Sequence, residues 1–97
     1  IFSTLRRLCA ARLRAGCEAT YIDSTALTRW ERRCWVRFAE LHGCDVECVF
    51  FDIPLEVCKQ RNAARGRRVP DDAMERMAAK FEAPHENEGF SRIEVIR

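Results

Sequence analysis

The sequence predicts an α/β chain built around a parallel sheet, and three observations carry this. Residues 46–53 (VECVFFDI) are β-branched and aromatic with little alternation toward their end, the pattern of a strand covered on both faces. Segments of helical spacing, each with its own start or stop signal, stand on either side of that strand. The resulting order is helix, strand, helix, strand, two helices, strand, and strands alternating with helices build a layered α/β architecture.

Residues 2–15 place Phe2, Leu5, Leu8, Cys9 and Leu13 close to one helical face, and Gly16 supplies a C-terminal stop. Residues 19–22 read as a short strand running into Asp23, Ser24 and Thr25. Thr28-Arg29-Trp30-Glu31 fits a capping box, in which the threonine hydroxyl and the glutamate each accept from an orphan backbone donor. The helix that follows is expected to bury Trp30, Cys34, Phe38 and Leu41 and to end at His42-Gly43. After strand 46–53, Pro54 suits the first turn of a helix, since its missing N–H costs nothing there. That helix runs through Leu55, Val57 and Cys58 toward Gly66. Pro70, Asp71 and Asp72 start another, with acids at the positive end of the dipole, and Met74, Met77 and Phe81 continue it. Residues 83–89 form a polar loop, and Ile93, Val95 and Ile96 a last strand.

Composition narrows the class. At 47% hydrophobic and 33% charged residues the chain is neither disordered nor membranous, and its longest apolar run is too short to cross a bilayer. No membrane partner is expected. The six cysteines sit within or beside apolar periodic segments. Cys44 and Cys48, the only close pair, lack the second pair or the histidines of a zinc site. Free thiols in a reducing, cytoplasmic setting are the expectation, with no metal-ligating residues. A net charge of +2 is small, yet residues 61–68 hold four arginines and no acid, and this local block matters more than the sum.

Candidate chemistry follows from that block and from the strand ends. In an α/β sheet the ligand site lies beyond the carboxyl ends of the strands, where Asp23 and Asp52 are expected. Asp23 is either a carboxylate ordering a Mg²⁺-bound water or a nearby arginine, or an ordinary turn aspartate. Asp52 suits a helix N-cap or a turn. His42 and His85 lack neighbours for a catalytic pair and read as a helix-end and a solvated loop residue. Arg61 and Arg65, four apart and ahead of Gly66, are expected on one helix face, where two guanidinium forks could meet one polyphosphate. A plain solvated basic face is the alternative.

Four segments taken together carry a family resemblance: Tyr21-Ile22-Asp23-Ser24-Thr25-Ala26-Leu27-Thr28-Arg29-Trp30-Glu31-Arg32-Arg33, Val49-Phe50-Phe51-Asp52-Ile53-Pro54-Leu55-Glu56-Val57-Cys58, Arg61-Asn62-Ala63-Ala64-Arg65-Gly66-Arg67-Arg68-Val69-Pro70, and Glu88-Gly89-Phe90. In this order they resemble bacterial kinases of the AAA/P-loop class, relatives of the 5′-hydroxyl polynucleotide kinases. The resemblance implies a P-loop NTPase-type parallel sheet with flanking helices, of which three of about five strands are expected here. It implies ATP and Mg²⁺ as cofactors of the intact enzyme, and transfer of the γ-phosphoryl group to a hydroxyl acceptor, with the 5′-OH of a nucleic acid the first candidate. Arg65 matches the lid arginine that reaches the ATP phosphates and stabilises the transferring group, and Arg61 matches its neighbour. Asp23, Ser24 and Thr25 match the strand-end motif beside the acceptor.

The sequence departs from that pattern twice. The strand-end motif commonly closes on asparagine, and Ala26 stands there. None of the four glycines belongs to a GxxxxGK[ST] loop, on whose lysine and bound Mg²⁺ phosphoryl transfer depends. With Ile1 as first residue, the expectation is that residues 1–97 are the C-terminal part of one kinase domain, inactive alone. A small-molecule or toxin-type kinase on the same scaffold, and a non-catalytic phosphate-binding fragment, are the alternatives.

Overall fold

The computed structural model describes residues 2–97. It is a mixed α/β structure in which helices flank a two-stranded parallel sheet. The helices are α1 (Phe2–Arg14), α2 (Arg29–His42), α3 (Leu55–Ala63) and α4 (Asp71–Lys80), and the strands are β1 (Glu47–Phe51) and β2 (Arg92–Ile96). A short 3₁₀ helix, Glu86–Glu88, precedes β2. β1 and β2 pair in parallel from Glu47 opposite Arg92 to Phe51 opposite Ile96, so α3, α4 and the 3₁₀ helix form the crossover between them. The alternating α/β order with parallel strands is the expected class, and it is consistent with part of a P-loop NTPase-like fold.

One expected strand does not form. Residues 19–22 are irregular, and Tyr21 is 91% exposed. A strand exists only where a neighbour completes its ladder. Here the backbone is engaged from α1 instead: Arg12 donates through Nη2 to the Ala19 carbonyl and through Nε to the Thr20 hydroxyl, both at 3.0 Å. Asp23 therefore does not close a strand. The stop of α1 at Gly16 holds, with Gly16 at φ 83° and the Cys17 N–H returning to the Arg12 carbonyl. The expected position of the Phe2 side chain lies outside the described residues.

The buried face of α2 keeps only Phe38 of the expected stripe. Arg32, Val36, Phe38 and Ala39 are buried, whereas Trp30 and Leu41 are 74% and 85% exposed and Cys34 is exposed. The rest of the expected stripe faces outward because an arginine with a buried counter-charge occupies the inward position. The N-cap is half of the expected box. Thr28 Oγ1 accepts from the Glu31 N–H at 3.2 Å, but the Glu31 carboxylate turns to the Leu27 N–H at 3.1 Å.

β1 is shorter than expected and covered on one face only. Cys48 and Phe50 are half-buried, with the Phe50 ring 5.2 Å from that of Phe81, while Val49 and Phe51 are exposed. Asp52 does not cap α3, whose N-cap is Pro54 without a side-chain bond. The Asp52 N–H extends the ladder to the Ile96 carbonyl at 2.8 Å, and its carboxylate lies 3.5 Å from Arg97. His42 ends α2 as expected, its ring tilted against that of Phe38 with centroids 4.2 Å apart. His85 is exposed but also structural, its Nδ1 accepting from the Asn87 N–H at 3.1 Å to cap the 3₁₀ helix.

The strongest tie in the molecule joins α2 to the 3₁₀ helix. Arg32 grips the Glu88 carboxylate with two parallel bonds, Nε to Oε1 at 2.9 Å and Nη2 to Oε2 at 3.1 Å. Its remaining Nη1 donates to the Ala26 and Leu27 carbonyls at 2.9 and 3.3 Å. Arg29 adds bonds to the Asn87 side chain and carbonyl. Burial pushes the Glu88 carboxyl up, but the Arg32 hydrogen bonds, the His85 N–H and the Arg32 and Arg29 charges outweigh it and hold it below the usual range. The six cysteines are free. Burial raises the Cys48 and Cys9 thiols, so neither is poised as a nucleophile. Among the described residues no helix is long and apolar enough to cross a membrane.

Ala26 is held by this tie at φ 39°, in the left-handed region that an L-residue with a Cβ disfavours. Asparagine tolerates that region better than alanine because its short polar side chain can bond locally. Ala26→Asn is therefore expected to raise the urea midpoint, by about 0.5–1 kcal/mol of stability, a part of the left-handed penalty. A fall in the midpoint would show that Ala26 is not strained.

Candidate functional site

The arginine block leaves the helix earlier than its sequence suggests. α3 stops at Ala63, with Ala64 as C-cap at φ −82°, so Arg61 lies in the last turn and Arg65 beyond it. The two do not share a helix face, as expected from their spacing, and Gly66 is not the breaker. What ends the helix is Asn62. Its side chain, on a residue only 6% exposed, donates through Nδ2 to the Val69 carbonyl at 2.6 Å, and its Oδ1 accepts from the Val69 N–H at 2.9 Å. This clasp draws the chain back on itself and closes a loop over residues 62–69.

Within that loop Arg65, Arg67 and Arg68 are exposed. Arg65 is oriented from inside: its N–H donates to the Asn62 carbonyl at 3.1 Å and its Nη2 to Asn62 Oδ1 at 3.3 Å. Arg68 Nε reaches the Arg65 carbonyl at 3.4 Å. A shallow recess of about 410 Å³ is lined by Arg65, Arg67 and Val69. Arg61 is exposed on α3 and is not part of that wall, so the loop couples Arg65 with Arg67 and not with Arg61. Of the acids on α4, Glu75 pairs with Lys59 at 2.6 Å and Asp72 with Arg76 at 2.9 Å, while Asp71 lines a second recess beside the loop with Asn62, Arg68 and Val69. Exposed guanidiniums on a closed loop with no acid of its own can take a polyanion by forked hydrogen bonds.

Asp23, Ser24 and Thr25 are exposed in the irregular segment between α1 and α2, and none of them lines the arginine recess. Among the described residues no three His, Cys, Asp or Glu side chains come together to hold a metal ion.

Two residues central to this geometry were not singled out from the sequence. Asn62 continues the half-buried stripe of Leu55 and Cys58 at helical spacing, and an amide in an apolar stripe is a signal that it bonds inward. Arg32 stands in the same way at i, i+4, i+7 with Val36 and Ala39.

Among families of known proteins, one described as an AAA domain has a model that matches residues 2–84. No curated protein matches the chain.

Proposed function

This chain belongs to the AAA domain family, a P-loop kinase-like, nucleotide-binding group that includes kinases, and from that premise we propose that it forms the phosphate-gripping side of a P-loop kinase. Arg65 grips the nucleotide phosphates and meets the charge that develops on the transferring phosphoryl group. Arg67 shares the arginine recess with Arg65, and Arg61, outside its wall at the end of α3, would meet only a polyphosphate that extends beyond the recess. Asp23, Ser24 and Thr25 face the hydroxyl acceptor, for which the 5′-OH of a polynucleotide is the first candidate. The observation that carries this reading is the closed loop 62–69, which presents exposed guanidiniums and no carboxylate.

The residues present suit ATP better than they suit its metal. Guanidinium forks match phosphate oxygens, so Arg65 and Arg67 would hold ATP at the recess, with Arg61 beyond it. Mg²⁺ would arrive with the nucleotide and neutralise phosphate charge; this chain supplies no carboxylate cluster for it among the described residues.

Titration of the 97-residue chain with inorganic tripolyphosphate tests the reading. Arg65→Ala is expected to weaken binding about tenfold or more, the scale of a lost charged hydrogen bond. Arg65→Lys should recover little, since an ammonium restores charge but not the fork. Arg67→Ala, from the same recess, should cost more than Arg68→Ala. Unchanged affinity in Arg65→Ala would sink the phosphate assignment. For the acceptor, a single-stranded oligonucleotide should bind with an affinity that falls steeply with salt; salt-insensitive or absent binding would favour a small-molecule acceptor.

A further inference from the structure

Resting on the phosphate reading of the arginine loop, we propose that Asn62 is its positioning residue: a buried carboxamide that closes the loop and holds Arg65 in a phosphate-ready pose without touching the ligand. The side-chain amide pairs with the Val69 peptide in both directions, donating to its carbonyl at 2.6 Å and accepting from its N–H at 2.9 Å. The same Oδ1 accepts from Arg65 Nη2 at 3.3 Å. One oxygen thus serves the loop closure and the guanidinium together.

The chemistry of the position is narrow. Only a carboxamide offers a donor and an acceptor in one plane, as a peptide does. Glutamine offers both one carbon further out, and aspartate offers acceptors only. The bond to Arg65 is longer than the two to Val69, and Arg65 remains exposed. Its other N–H groups stay available to an anion while one is held. A guanidinium already oriented loses less freedom on binding than one on an open chain.

The test uses the 97-residue chain, inorganic tripolyphosphate as probe, and amide hydrogen exchange at Val69. In the unsubstituted chain the Val69 N–H should be protected and tripolyphosphate should bind. Asn62→Ala should lose protection at Val69, keep it at Asp52, whose N–H belongs to the β1–β2 ladder, and bind about tenfold more weakly. Asn62→Asp guards against a variant that fails to fold. It keeps an acceptor for the Val69 N–H, but its carboxylate competes for Arg65, so its binding deficit should be largest at low salt and shrink as salt is added.

Loss of Val69 protection with undiminished tripolyphosphate affinity in Asn62→Ala would overturn the positioning role. So would an Asn62→Asp deficit that does not respond to salt. A chain that binds no tripolyphosphate, or binds it equally well after Arg65→Ala, would instead bring down the underlying phosphate reading and the proposal with it.

Discussion

Glu88→Gln is expected to be among the most destabilising single changes in this chain, costing about 3–5 kcal/mol, the usual consequence of leaving one half of a buried ion pair unpaired. Arg32 and Glu88 have side chains only 5% and 3% exposed. Glutamine preserves the shape, but it presents an NH₂ to one of the two guanidinium nitrogens that now meet carboxylate oxygens, and it leaves the buried positive charge without a counter-ion. Chemical denaturation followed by circular dichroism would measure the loss. A midpoint within about 0.5 kcal/mol of the parent, the range of ordinary surface changes, would show the pair to be dispensable. The pair need not be stabilising relative to apolar side chains of equal volume, a comparison that often comes out neutral. Here, however, replacing both partners would also strip the Ala26 carbonyl of its Arg32 donor, so the double replacement should still cost stability.

The same pair sets a pH dependence. The Glu88 carboxyl is held lower in the folded chain than in the unfolded one, where it ionises near its ordinary value of about 4.5. Its contribution is therefore fully present above that value and disappears as the pH falls through the lower, folded-state value. Acid denaturation of the parent should steepen in this window, and the Glu88→Gln variant should lack that component. Identical acid limbs for the two would contradict the assignment.

Gly89→Ala is the second change with a large expected effect. Gly89 adopts φ 108°, and a Cβ built there would stand 2.7 Å from Val36 Cγ1, closer than two carbons can approach. The strain of a left-handed backbone, roughly 1–2 kcal/mol, adds to overpacking of roughly 1–3 kcal/mol, for about 2–5 kcal/mol in all. Val36 lies on the buried stripe of α2, so the collision would lift the 3₁₀ helix away from Arg32. Val36→Ala in the same chain should recover the steric part and leave the backbone part. This double-mutant cycle separates the two. Strict additivity of the two substitutions would mean that the contact is not the cause.

Both effects fall in the short Glu88-Gly89-Phe90 segment. Its glutamate is the counter-charge of the buried arginine, and its glycine is the only residue that fits beneath Val36.

Local signals determined a good part of this protein. Strand 46–53 announced itself by composition, Gly16 and Gly43 by the left-handed turns that end α1 and α2, and Pro54 and Pro70 by the helix starts they precede. The alternation of these elements was enough for the α/β class. The arginine block at 61–68 was equally legible as a charged segment, because a run of like charge needs no partner to be recognised. Tertiary structure decided the rest, in each case because a distant group took a bond that local pattern could not foresee. Residues 19–22 have strand composition but no ladder partner, so Arg12 took their carbonyl. The inward face of α2 followed Arg32 toward Glu88, 56 positions away, and not the stripe of Trp30 and Leu41. Arg61 and Arg65 parted because Asn62 closed a loop on Val69 before the helix could carry both. Periodicity reports which side chains avoid water, and it is silent where a buried polar group is satisfied by a partner far along the chain.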